Sequence, residues 1–339
     1  MKTSQRKTVA SIAAECGVSA MTVSRALRHD SRVREETRRQ IVAAAEKLGY
    51  IRAPRMGRPG HPEPGKGGKV ELIAGIIGRS MAIFHSQLLV AIEQRLAKAG
   101  TECVIRTCNG DYEQFLVLLE NLRASGADTA ILVGSFIPEQ LAALLDAVPE
   151  AVLLDNPGIS PSTHSTFLFD NAEAARLAVN HLAGCGRRRI LLLNGLPGHF
   201  FSRDIEQGYR TALPAAGLPF DPGLLLHADF TAESAHEVMA HAMDSGLKFD
   251  AVFTNDEMAA GVFRALLERG KRIPQDVAVC GCDGLPVGMQ LFPRLTTVAL
   301  DYEELGDMAV EYLLSPEPDR RNPLRIQLLP RLAIRESSC

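Results

Sequence analysis

From Val70 onward, short apolar runs alternate with longer amphipathic stretches, and this alternation restricts the fold more than any other feature of the 339-residue chain. The runs fall at about 70–77 (VELIAGII), 102–106, 129–134 (TAILVG), 151–154 (AVLL), 189–193 (RILLL), 250–254 (DAVFT) and 276–281 (DVAVCG). Each is short for a helix and apolar at successive positions, the pattern of a strand buried on both faces of a parallel sheet. The intervening segments carry helical spacing, so the unit is strand, helix, strand, and the sheets are doubly wound. Two such units fit, one starting at Val70 and the other near Arg189 after a crossover at 165–170. In open sheets of this kind ligands bind beyond the carboxyl ends of the strands, which makes a cleft between two lobes the expected site.

The first 69 residues are different in kind. They hold 15 Lys and Arg against 6 Asp and Glu, a net of +9, whereas the remainder holds 22 against 34. A basic module on an acidic body is the electrostatic footprint of a nucleic-acid binder. Thr8 stands as a capping hydroxyl before Val9, Ile12, Ala13 and Cys16, one helical face that Gly17 ends. Ser19 opens a second helix with Val23, Ala26 and Leu27 inward, and a third runs from about Arg34 to Leu48 with Ile41, Ala44 and Ala45 at close to helical spacing. Two short helices joined through a glycine turn make a helix-turn-helix, whose second helix enters the major groove.

Other readings are weaker. No apolar run approaches the ~18 residues of a membrane span, and the start MKTSQRKTVAS has no signal-peptide core, so a cytoplasmic protein is expected. The seven cysteines show no C-x-x-C spacing, which points to reduced filler residues, with neither disulfide nor zinc site. Gly60 to Lys66 imitates a phosphate-binding loop, but Gly67 stands where its Ser or Thr should be. His236 and His241 lie five apart and diverge by about 140° around a helix, so they share no metal. No Gly-x-Ser-x-Gly elbow is present. No catalytic residue, cofactor or metal is expected; a sugar-processing enzyme or a sugar-binding protein without DNA remains the alternative.

The string TVASIAAECGVSAMTVSRALRHDSRVREETRRQIVAAAEKLGYIRAP resembles the headpiece of the lactose-repressor/galactose-repressor (LacI/GalR) family, through its phrases VS-x-x-TVSR-x-L and T-R-x-x-I-x-x-A-x-x-LGY. FDAVFTNDEMAAGVFRALLERGKRIPQDVAVCGCDGLP and PRLTTVALDYEELGDMAVEYLL extend the likeness over nearly the whole chain, the latter to the segment that returns the chain to the first lobe. The resemblance implies an all-α three-helix headpiece followed by an α/β, two-lobed, periplasmic-binding-protein-like effector domain. It places Ala20, Met21 and Arg25 at base-reading positions and Thr22 and Ser24 on phosphates, with Thr8, Ser19 and Tyr50 also on the DNA side. Arg25 suits guanine, since a guanidinium bridges O6 and N7. Arg38 and Arg39 either touch the DNA backbone or form a solvated face. For the effector it nominates Arg203, Asn255, Asp283 and Asp155, while Asp256 is expected to cap the following helix. Phe84 and Tyr302 either stack on a sugar face or belong to the core.

The family's hinge helix has no counterpart in residues 52–69, where four prolines and five glycines forbid a regular helix. Gly57-Arg58-Pro59 with Arg55 resembles the core of an AT-hook, which would lie in a narrow minor groove; a flexible tether is the other reading. The expected division is a headpiece at 1–58, a Pro/Gly-rich linker at 59–69 and an effector domain at 70–339. Its first lobe is expected at about 70–168 and 299–318, its second at about 169–298 and 319–339. The function these readings imply is a transcription regulator, a repressor by resemblance, that binds a pseudo-palindromic operator as a homodimer under the control of a small carbohydrate. Repression relieved by the sugar is the family's usual outcome, and a corepressor fits the same residues.

Overall fold

The computed structural model describes residues 15–18, 22, 23, 26, 35–47, 69–75, 81–108, 111–127, 129–158, 164–315 and 322–339. The chain divides into two compact units, Met1–His61 and Pro62–Cys339. In the first unit, helix α1 (Glu35–Lys47) buries Ile41 and Ala44, one turn apart on one face, and Val23 and Ala26 are also fully buried. Gly17 adopts a left-handed φ of 63°, the conformation with which a glycine stops a helix. The proposed DNA contacts Thr8, Ser19, Ala20, Met21, Ser24, Arg25, Tyr50, Arg55 and Arg58 lie outside the described residues; Thr22 is described, helical and half-buried.

The second unit contains two six-stranded sheets. In chain order its first elements are β1 (Lys69–Gly75), α2 (Met81–Lys98), β2 (Glu102–Cys108), α3 (Tyr112–Ser125), β3 (Thr129–Gly134), α4 (Pro138–Ala147), β4 (Glu150–Leu154) and β5 (Thr166–Phe169). There follow α5 (Asn171–Gly184), β6 (Ile190–Asn194), α6 (Phe200–Ala215), β7 (Leu225–His227), α7 (Ala232–Asp244), β8 (Ala251–Phe253), α8 (Asp256–Glu268) and β9 (Ala278–Asp283). The last are α9 (Val287–Gln290), β10 (Thr296–Ala299), α10 (Tyr302–Leu313), β11 (Arg325–Leu328) and β12 (Arg331–Ala333). The first sheet runs β11-β5-β4-β3-β1-β2, parallel throughout, and the second runs β12-β10-β9-β8-β6-β7, parallel except for β12 on β10.

The apolar runs form strands because both faces of each sheet are covered. In β4, Val152 and Leu154 enter one core while Ala151 and Leu153 enter the other. In β6, Leu191 and Leu193 face away from Ile190 and Leu192 in the same way. Each fully buried Leu or Ile is worth roughly 1.5–3 kcal/mol, so a one-residue slip of register would still bury apolar atoms but lose the fit. Local signals end and start the helices: Asp111 accepts from the Gln114 amide at the head of α3, and Asp170 does the same from Glu173 for α5. Tyr209, fully buried, donates its hydroxyl to the Ile190 carbonyl at 2.7 Å, tying α6 to the head of β6.

The chain passes between the lobes from β5 into α5, from β10 into α10, and from β11 into β12. The expectation that 319–339 belongs wholly to the second lobe is corrected by the third passage, since Arg325–Leu328 pairs with Thr166–Phe169 in the first sheet. β7, β11 and β12 escape the pattern of the sequence because they are three or four residues long and half-exposed. The expectation of reduced cysteines throughout is corrected as well. Cys185 and Cys339, 154 positions apart with Cα atoms 5.7 Å from each other, form a disulfide, whereas Cys16, Cys103, Cys108, Cys280 and Cys282 are outside any disulfide. Spacing along the chain cannot reveal a pair that two lobe crossings bring together.

Candidate functional site

Where strands end, polar residues from both sheets converge. In the first lobe β3 leads into Ser135 and β4 into Asp155 and Asn156, with His85 entering from α2. In the second lobe β8 leads into Thr254 and Asn255, β9 ends on Asp283, and α6 brings His199, Arg203 and Asp204. Ser135 Oγ and His199 Nε2 meet at 2.6 Å, one from each lobe, so the lobes are closed upon one another. Gly134 makes room for His85: a Cβ at its φ of 83° would stand 2.5 Å from His85 Nε2.

Several of these groups are buried and lack a hydrogen-bond partner among the described residues. They include both ring nitrogens of His85, His199 Nδ1, Thr254 Oγ1 and Asp283 Oδ1. A buried polar atom left unpaired costs about 1–3 kcal/mol, so these atoms are the ones with hydrogen-bonding capacity left over from the fold. Backbone strain coincides with it. Asp155 has φ 48° and Asp283 φ 113°, so both strand-end carboxyls sit in a region that side chains rarely adopt.

Burial also sets the charge of the walls. It pushes the Asp155 carboxyl up to about 8, with the charge of Asp204 adding to the effect. It holds His85 down at about 4, helped by His199, and His199 at about 4, helped by Arg203. Asp283 is raised well above the usual carboxylate range by burial and by the neighbouring Asp256 and Asp155. His85 and Asp155 lie 3.9 Å apart, but with one imidazole neutral and one carboxyl protonated at neutral pH this is a polar contact and no ion pair. At neutral pH Asp155, His85 and His199 are therefore uncharged.

The expected effector residues fall into two groups. Asp155, Asn255 and Asp283 stand at strand ends, and Arg203 is exposed on the first turn of α6 beside His199 and Asp204. Phe84 and Tyr302 instead build the core beneath the cleft: their rings stand edge-on 5.5 Å apart and both meet Phe169. The Tyr302 hydroxyl donates to the Asp283 carbonyl at 2.9 Å, which holds that strained residue in place. The helix cap is corrected. Asn255 Oδ1 accepts from the Met258 amide and caps α8, whereas Asp256 accepts from the Leu285 amide and the Thr297 hydroxyl, each at 2.6 Å. Asp256 thus braces the loop after β9 against β10. His85, Ser135, His199 and Asp204 were not nominated from the sequence; a histidine inside an apolar helical face, as in Ile83-Phe84-His85, was the available signal for the first.

A small helical unit ahead of two lobes that close on a polar cleft is the build of a DNA-binding regulator that carries its own ligand-binding domain. Residues 8–53 match the family model for bacterial regulatory proteins of the lacI family, and residues 179–338 match the periplasmic binding protein-like domain. The ribose operon repressor of Escherichia coli K12 is 28% identical over 335 residues, 98% of this chain and 99% of that protein. A LacI-family regulator from Sanguibacter keddieii is 30% identical with a TM-score of 0.68, covering 79% of this chain and 98% of that one. The transcriptional regulator CelR, solved with cellobiose, is 28% identical at a TM-score of 0.71, over 98% of this chain and 100% of that one. The lac repressor dimer, solved on its operator with an anti-inducer, is 25% identical at a TM-score of 0.70, over 98% of this chain and 99% of that one. The chain belongs to the lacI family, whose members are transcription regulators and not enzymes.

Proposed function

We propose that this regulator represses transcription from a pseudo-palindromic operator, as a cytoplasmic homodimer, and that a neutral polyhydroxylated molecule, a sugar or sugar derivative, controls its grip on DNA. The observation that carries the ligand class is the set of buried, partnerless and uncharged polar groups where the two sheets face each other. A sugar hydroxyl both donates and accepts, and so matches neutral imidazoles, hydroxyls and a protonated carboxyl. Arg203, Asn255, Asp155 and Asp283 are the proposed hydroxyl-binding residues, with Phe84 and Tyr302 supporting the floor. Cleft closure is the two-state element that effector binding would bias, and the Ser135–His199 contact belongs to its closed side. Repressors of sugar operons and a cellobiose complex among the relatives support the reading.

On the DNA side, Ala20, Met21 and Arg25 are proposed to read bases in the major groove, and Thr8, Ser19, Thr22, Ser24 and Tyr50 to hold the backbone. Arg55 and Arg58 are proposed for the minor groove. A thermal-shift screen of neutral sugars, sugar phosphates and nucleosides tests the effector reading. Stabilisation by a neutral sugar, weakened roughly 10–100-fold in affinity by Arg203→Ala and by Asp283→Ala, is the expected result. Stabilisation by anionic compounds alone would contradict it. Selection from a random DNA pool, followed by titration at several salt concentrations, tests the operator reading through the slope that phosphate contacts impose.

A further inference from the structure

Away from the cleft, at the far end of α5, three soft ligands come together. His181 lies in the last turn of α5 and Cys185 follows four residues later, so both side chains share one face of the helix end. Cys339 is brought to the same place by the segment before it, which is anchored inside the second sheet. The Ser337 carbonyl accepts from the Val279 amide, its own amide donates to the Arg294 carbonyl, and its hydroxyl donates to the Val279 carbonyl and accepts from the Thr296 amide. Ser338 Oγ bridges Thr296 Oγ1 at 2.7 Å and His181 Nε2 at 2.8 Å. Both serines are fully buried, so the position of Cys339 is imposed by packing rather than by the sulfur bond alone.

We propose that the reduced protein binds one zinc-class divalent ion through His181 Nε2, Cys185 Sγ and Cys339 Sγ, with a water completing a tetrahedron. The donor atoms all lie within 4.8 Å of one another, and His181 Nε2 is 3.7 Å from Cys185 Sγ. Zinc bonds of about 2.3 Å to sulfur and about 2.05 Å to nitrogen, opened to a tetrahedral angle, place such a pair about 3.6 Å apart. The disulfide is the oxidised form of the same site. The inference rests on the cytoplasmic reading proposed above, under which thiols are kept reduced and the dithiol is the working form. A low-molecular-weight dithiol supplies two electrons and two protons to open the Cys185–Cys339 bond and leaves as its own disulfide. The ion then displaces the two thiol protons and takes both thiolates, while the Ser338 hydroxyl gives up His181 Nε2. In either state the 335–339 segment stays clipped to α5.

The test uses the full chain, reduced and freed of reductant without air, and titrated with Co²⁺ as a spectroscopic stand-in. One equivalent should raise a thiolate-to-cobalt charge-transfer band that Zn²⁺ bleaches, with two protons released per ion. Cys339→Ser, a change at an exposed residue, should weaken the site roughly 100-fold, as should His181→Ala. Melting curves of the variants establish that they fold. No band in the reduced wild type, or an equal band in the Cys185→Ser/Cys339→Ser double variant, overturns the site.

Discussion

Replacing Asp155 by Asn should stabilise the protein, and by more as the pH rises. Asp155 is buried, and its carboxyl titrates at about 8 in the folded chain against an ordinary 3.8. The native state therefore holds a proton that the unfolded chain has given up, and stability falls as pH rises from 3.8 towards 8. Each pH unit in that window costs about 1.4 kcal/mol. By pH 6.5 the wild type carries a penalty of up to about 3–4 kcal/mol relative to a side chain that stays neutral, an upper bound because opening of the cleft hydrates the carboxyl. Between pH 6.5 and 8 the penalty grows by about 2 kcal/mol. His85 and His199 work in the opposite direction: with folded values near 4 against 6.5, their contributions rise with pH up to 6.5 and are flat above it. Asn is the suitable replacement because it resembles the protonated carboxyl and tolerates the φ of 48°. Urea unfolding of wild type and Asp155→Asn, followed by far-ultraviolet circular dichroism between pH 6.5 and 8, measures the gap from the two midpoints. A variant less stable than wild type, or a gap that does not widen over this range, would refute the account of a carboxyl kept neutral by burial.

Three further outcomes follow from the geometry. His199→Ala removes the bond to Ser135 and should shift the lobes towards the open form by about 1 kcal/mol, a several-fold change in population visible by small-angle scattering; an unchanged scattering curve would count against the closure contact. Gly281→Ala drives a Cβ into the Asp256 carboxylate, disturbing its bonds to Leu285 and Thr297, and should lower stability by about 2–4 kcal/mol in chemical unfolding. Tyr209→Phe leaves the Ile190 carbonyl without its buried hydroxyl donor and should cost about 1–2 kcal/mol by the same measurement.

Burial on both faces of a strand is written locally, residue by residue, and so the long central strands could be read from the chain itself. The runs at 102–106, 129–134, 151–154 and 189–193 correspond to β2, β3, β4 and β6, β3 at the same bounds and the others with shifts of at most two residues. β5 was legible only as a crossover, and β10 only through the returning segment that contains it. The edge strands β11 and β12 were not legible, because three or four half-exposed residues carry no periodic signal. At the cleft, Asp155, Asn255 and Asp283 could be nominated through the family resemblance, which sets them where apolar runs end. Their states could not: a carboxyl at about 8 and two imidazoles at about 4 arise from burial against groups far away in sequence. The same holds for Asp256, which sequence alone makes a helix cap and which tertiary packing makes a brace for Leu285 and Thr297. Cys185 and Cys339 are the extreme case. The two-part plan, a basic helical unit before two doubly wound sheets, is legible in the chain alone, since charge and apolar periodicity are properties of contiguous stretches. Which buried polar atoms lack a partner among the described residues, and which thiols meet, is settled in three dimensions, because desolvation and proximity arise from packing among distant segments.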